Sequence, residues 1–215
     1  MADSAENLLD RVAAYYSDKV QLHGPTARGV DWKDEEGQNC RFDQLMLVLG
    51  DRKRGSIGEI GCGYGALATY MAKRGLQYDY TGCDISADML AAARTFCKGV
   101  DGVTFEHGTS PSSPKDFVVA SGIFNVRFDY DDRTWFRFIW DTIDAMAASA
   151  NRGIAFNFLT SHSDADRKRP DLWYADPGEV LNECVRRFGR RVTLAHDYGM
   201  YEFTVRITFP EGRVA

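Results

Sequence analysis

No two cysteines in this chain stand at C-x-x-C spacing. The five, Cys40, Cys62, Cys83, Cys97 and Cys184, are scattered, which argues against a zinc knuckle or a dithiol redox motif and suits a reducing compartment. There is no apolar run near the ~18 residues that a membrane span requires. The stretch Met1–Glu6 lacks the basic and apolar regions of a signal peptide, so a cytoplasmic location without a membrane partner is expected. Positive charge is not in excess: 26 Lys plus Arg stand against 31 Asp plus Glu, for a net charge of −5. A mildly acidic chain is a poor polyanion binder, so no nucleic acid partner is expected. Short basic clusters such as Arg167-Lys168-Arg169 are interleaved with acids and read as solvated loops. Repeats and low-complexity tracts are missing. No carboxylate set has the look of a Mg²⁺ site, so no metal is expected. The 215 residues suffice for one well-buried α/β domain over 1–215 and are few for two. Oligomeric state leaves no legible signal.

The informative stretch is Ile57-Gly58-Glu59-Ile60-Gly61-Cys62-Gly63-Tyr64-Gly65. A short strand closes on an acid, and three alternating glycines turn the backbone into a helix over about 66–74. Glycine suits such a turn because the chain must reach φ > 0 and let a ligand lie against bare backbone. A second strand over 78–83 ends on Asp84. A glycine turn followed by an acid at the tip of the next strand is how a βαβ unit holds a nucleoside, with the acid on the ribose hydroxyls. The spacing alone leaves two ligands open, because Gly61-x-Gly63-x-x-Ala66 also fits the loose dinucleotide fingerprint of a nicotinamide-dependent oxidoreductase. Three features weigh against that alternative. The charge of Glu59 would repel a pyrophosphate, the glycines alternate, and about sixty residues precede the motif.

The rest of the chain alternates helix and strand. Apolar residues at spacings of three and four (Leu8, Leu9, Val12, Tyr15, Tyr16, Val20) predict an amphipathic helix over about 4–21, and a second helix is expected over 39–49. Residues 1–50 would form a helical N-terminal lid, and 55–215 the core. A helix over 86–96 opens on a serine cap. Strands are expected at 103–107, at the continuous apolar run 117–120 and at 153–159, with helices at 132–150 and from Pro177 to about 188. The segments 191–196 and 201–209 are joined by too few residues for a crossover helix, so they must form an antiparallel hairpin.

With Glu59 to Gly65, Asp84 and this closing hairpin, the chain resembles the class I S-adenosylmethionine-dependent methyltransferases. The resemblance implies an α/β, Rossmann-like, seven-stranded, mostly parallel sheet in the order 3-2-1-4-5-7-6, with the last strand antiparallel and helices on both faces. It implies S-adenosylmethionine as cofactor, S-adenosylhomocysteine (SAH) as product, and a small-molecule acceptor. The loop Gly61, Gly63 and Gly65 would lie against the methionine part and ribose, with Glu59 near the α-amino group. Asp84 would take the ribose hydroxyls, Ile85 a face of the adenine, and Ser121 the methionine moiety. Arg41 would pair with the cofactor carboxylate, and Tyr15 or Tyr16 would help close that end. Many members carry an acid after strand three; this chain has Gly108-Thr109-Ser110, so Thr109 is the expected adenine contact. His23, in the lid, is the candidate general base, whereas His107 is expected to be structural and remote from the mouth. Trp32, Phe124, Asn125, His162 and Tyr174 gather where an acceptor would enter, under a polar loop over 160–170. Strand four ends in Ser121-Gly-Ile-Phe-Asn125 rather than the Asn/Asp-Pro-Pro-aromatic of amide and base N-methylation. Segments including Val30-Asp31-Trp32 and Asp171-Leu-Trp-Tyr-Ala-Asp176 resemble small, mostly uncharacterised bacterial methyltransferases. O-methylation of a metabolite or sugar is the first expectation and N-methylation the second. A non-catalytic cofactor-binding protein is the other alternative.

Overall fold

The computed structural model describes residues 2–212. Seven strands, β1 (Arg54–Ile60), β2 (Gln77–Asp84), β3 (Val103–His107), β4 (Lys115–Ala120), β5 (Ala150–Leu159), β6 (Val192–Ala195) and β7 (Glu202–Thr208), form one sheet. Their order is β3-β2-β1-β4-β5-β7-β6. All pairings are parallel except those of β7 with β5 and β6. This is the expected topology, and the reversed strand follows from the short connection after β6, which leaves no room for a crossover.

Among the described residues six α-helices accompany the sheet: α1 (Ala2–His23), α2 (Glu35–Met46), α3 (Ala66–Lys73), α4 (Ala87–Phe96), α5 (Asp132–Ala148) and α6 (Pro177–Phe188). Side chains alternate across each strand, and β4 shows the consequence. Val118 and Ala120 join a core with Trp135, Ile139 and Ile143 of α5, while Phe117 and Val119 join the opposite core with α2 and α3. Leu8 of α1 belongs to the α5 side, so α1 is anchored across the sheet instead of lying free. The starts of α4 and α6 are capped as expected: Ser86 Oγ accepts from Met89 N–H at 3.1 Å and Asp176 accepts from Glu179 N–H at 2.9 Å ahead of Pro177. The helix expected over 39–49 instead starts at Glu35, because Asp34 caps it by accepting from Gly37 N–H; a short 3₁₀ turn carries it on to Leu49. Between β1 and β4 the strand order reverses direction, and a crevice opens there beyond the carboxyl ends of the strands.

Candidate active site

The turn after β1 uses its glycines for conformation and for proximity. Gly61, Gly63 and Gly65 have φ of 68°, 53° and 80°, a region that costs an L side chain. A Cβ on Gly61 would stand 2.3 Å from Ile123 Cγ2, and one on Gly63 would stand 2.8 Å from Val30 Cγ1. Gly65 plays a different part: it begins α3 and packs beneath Cys97.

A cavity with about 810 Å³ of empty space, its open mouth included, runs along this turn. Its wall brings together Gly61, Gly63, Asp84, Ile85, Thr109, Ser121 and Trp32. Those residues come from the ends of β1, β2, β3 and β4 and from the segment before α2. Asp84 is 8% exposed; one carboxylate oxygen accepts from Gly63 N–H at 2.8 Å and the other from Ser86 N–H at 2.9 Å. Burial pushes its pKa up and the two amides pull it back. A carboxylate has about four lone-pair sites, so two remain for a ligand's hydroxyls. Ser121 Oγ is buried without a hydrogen-bond partner. An orphaned polar atom in a cavity wall is what a site built for a polar ligand leaves behind.

Other predicted residues stand elsewhere. Glu59 turns to the opposite face of β1, 3% exposed, where its carboxyl accepts from the Tyr80 hydroxyl. Burial raises its pKa to about 8, with Asp84 adding to the rise and Tyr80 opposing it. Burial thus favours its neutral form, and its carboxyl is directed at Tyr80 and away from the crevice. Arg41 is also spoken for: its Nε donates to both oxygens of Glu202 at 2.9 Å, and its guanidinium stacks 3.7 Å from the centre of the Trp32 ring. Glu202 accepts in turn from Asn157 Nδ2 at 2.7 Å, and Asn157 Oδ1 accepts from Gly122 N–H at 2.8 Å. The expected role of Arg41 with a cofactor carboxylate gives way to this buried pair.

The two histidines expected at the site, His23 and His162, stand away from the cavity. His23 ends α1 and lines an outer groove with Arg28 and Lys33; the fold does not bring it to the cavity. His162 lies beside His196, ring centres 5.9 Å apart, also outside the cavity wall. His107, expected to be remote, closes β3 opposite Asp84, and its Nε2 is 3.0 Å from the carbonyl oxygen of Ile85. Among the expected acceptor residues, Phe124 is core, stacked on Phe158 at 5.0 Å. Asn125 is 6% exposed with Oδ1 unpartnered, and its carbonyl accepts from Trp173 N–H. Tyr174 accepts from Arg169 N–H at 2.9 Å. The remaining wall comes from Leu9, Val12, Ala13 and Tyr16 of α1, with Val30, Ile60, Met89, Gly108, Gly122, Ile123, Phe138 and Thr142. The apolar stripe of α1 was legible as a buried face, but its periodicity carries no information on what that face covers.

A family model described as a methyltransferase domain matches residues 57–150. Rv1506c of Mycobacterium tuberculosis (strain ATCC 25618 / H37Rv), a methyltransferase by assignment, is 45% identical over 152 residues, covering 71% of this chain and 92% of that protein. The chain belongs to the methyltransferases. That membership removes the oxidoreductase alternative. Solved structures share this methyltransferase's fold: DhpI, in a complex with SAH, superposes with a TM-score of 0.64 at 19% identity over 96% of this chain and 98% of its own. The magnesium protoporphyrin IX methyltransferase ChlM of Synechocystis PCC 6803, with bound SAH, gives 0.62 at 14% identity over 80% and 84%. At such identities the likeness speaks for the fold. Among the described residues no helix is long and apolar enough to cross a membrane, and no group of His, Cys, Asp and Glu is arranged to hold a metal ion.

Proposed function

We propose that this methyltransferase moves a methyl group from S-adenosylmethionine to a small-molecule acceptor in the cytoplasm, as one domain whose first fifty residues form the lid. The observation that carries the reading is the shared wall of Gly61, Gly63, Asp84, Ile85 and Ser121, a nucleoside cradle in a chain of this family. Asp84 has lone pairs free for ribose hydroxyls, Ile85 and Met89 offer apolar cover for a base, Thr109 a hydroxyl at its edge, and Ser121 Oγ lacks a partner. Solved neighbours described as complexes with SAH and with SAM support the same choice of cofactor.

When bound, S-adenosylmethionine supplies a methyl group already activated on sulfur. The protein's task is then positioning, which can supply roughly 7–11 kcal/mol of a barrier. The apolar wall of Tyr16, Val30, Trp32 and Ile123 excludes water from the reacting end. An O-methylated metabolite is the first reading. N-methylation is favoured by one observation: all four histidines stand outside the cavity wall, and a neutral amine attacks without first losing a proton. Thermal shift with SAH and with NADH, followed by methyl release against phenols, sugars and amines, tests the proposal. Stabilisation by SAH and turnover with one acceptor class support it; stabilisation by NADH alone overturns it. Tight SAH binding without turnover on any acceptor turns the reading to a non-catalytic binder.

A further inference from the structure

The segment between α1 and α2 covers the glycine turn with unusual directness. Val30 Cγ1 occupies the space that a side chain on Gly63 would need, and the Trp32 ring does the same at Gly122, with Cζ2 2.3 Å from the Cβ position. The residue between them, Asp31, points the other way. It has φ 63° and caps the 3₁₀ turn Ala27–Val30, a left-handed position that an aspartate accepts more readily than most side chains. Its carboxylate collects three groups from two further elements. Tyr15 and Lys19 of α1 donate to it at 2.8 Å each, and Arg169 of the loop after β5 lies 3.6 Å away. Burial would raise the Asp31 pKa, but Lys19, Tyr15 and Arg169 together hold it below the usual carboxylate range, so the clamp is ionic at neutral pH. Tyr174 supports the Arg169 backbone from behind.

Val30 packs beside the glycine backbone against which a ligand would lie, and shares the cavity wall with it. We propose that residues 24–34 are a strap over the cofactor crevice and that Asp31 is its positioning residue. The carboxylate fastens the strap to α1 and to the 160–170 loop, and so presses Val30 and Trp32 onto the crevice floor. The proposal rests on the reading of the cavity as a nucleoside cofactor site and adds what governs entry to it. Held down, the strap narrows the way into the crevice, so its opening sets the rate of entry. The polar 160–170 loop, which carries no wall residue of the cavity, gains a role through Arg169.

The experiment is stopped-flow fluorescence of SAH binding to the full chain, read through Trp32 in the cavity wall. Asp31→Asn is the informative variant, because asparagine tolerates the left-handed region and the change removes only the charge; Arg169→Met removes the cross-element partner. In the unaltered protein the observed rate should level off as SAH rises, since opening becomes limiting. Both variants should raise that plateau, Asp31→Asn by about tenfold, with circular dichroism unchanged and the melting temperature lowered by no more than a few degrees. A rate that rises linearly with SAH and is the same in all three proteins overturns the proposal while leaving the cofactor reading intact. Failure of SAH to bind any of them, judged by thermal shift, overturns the cofactor reading and the strap with it. A plateau that falls in Asp31→Asn also overturns it, because the clamp would then be aiding entry.

Discussion

Replacing Glu59 with glutamine should flatten the pH dependence of folding stability. The Glu59 carboxyl is fully enclosed beside Tyr80, and its pKa stands at about 8 in the folded chain, against 4.5 for an unperturbed group. Between those values the folded protein holds a proton that the unfolded chain has lost. Stability therefore falls as pH rises through that window, by about 1.4 kcal/mol per pH unit from this one group. Below about pH 4.5 both states hold the proton, and its contribution is fully present. From pH 5.5 to 7.5 the wild-type protein should lose roughly 2–3 kcal/mol more than Glu59→Gln, which cannot titrate. Gln keeps an oxygen for the Tyr80 hydroxyl, and the amide hydrogens it adds lower the variant's absolute stability by about 1–3 kcal/mol if they find no acceptor. The readout is thus the difference in slope between the two proteins, obtained from urea unfolding at both pH values. Parallel stability curves would refute the buried, neutral carboxyl. The same variant should bind SAH with a Kd changed by less than about threefold, since Glu59 faces away from the cavity; a large loss would restore the sequence expectation of a ligand contact.

Asp84→Ala should weaken SAH binding by about 1.5–3 kcal/mol for each charged hydrogen bond lost, measured by calorimetry, and should lower the melting temperature as well because Gly63 N–H and Ser86 N–H lose their acceptor. Glu202→Gln, which leaves the buried Arg41 guanidinium without a counter-charge, should cost about 3–5 kcal/mol in urea unfolding; a loss under 1 kcal/mol would mean that the pair is better solvated than its 2% exposed carboxylate indicates. Gly122→Ala drives a methyl group into the Trp32 ring at a φ of 75° and should shift Trp32 fluorescence and abolish tight SAH binding. A lost general base typically costs ~10²–10⁴ in rate, so His23→Gln and His162→Gln should both escape such a loss in methyl-release assays.

The sequence carried the fold because its signals are local and mutually consistent. The acid-x-Gly-x-Gly-x-Gly run, Asp84 at the next strand end, the serine and aspartate caps, and the short link between the last two strands each constrain their own segment. Together they carry the resemblance to the class I methyltransferases, and it was the resemblance that implied the sheet order. The half of the site made of backbone turns and strand tips (Gly61, Gly63, Asp84, Ile85, Thr109, Ser121) was legible for the same reason, since strand ends in a parallel sheet converge by topology. Side-chain direction was not. Glu59 and Ile60 are neighbours, yet they face opposite sides of β1, and only the packing of Tyr80 assigns the carboxyl to the interior. Arg41 had a plausible anionic partner in a ligand, but Glu202, 161 residues along, took it; no local pattern announces a pairing at that separation.

From its amino-acid order alone this methyltransferase has its strands and helices, its glycine turn, the acid at the next strand's tip and its closing hairpin, because backbone conformation and hydrophobic period are written over a few adjacent residues; the strand order came from the resemblance those features carry. The tertiary structure alone decided which groups meet across the crevice: α1 as its roof, the histidines outside it, and Asp31 clamped between Lys19 and Arg169. Those contacts join segments far apart in the chain. Their energies depend on burial and on distances of a few ångströms, quantities that exist only once the sheet has brought its strand ends together.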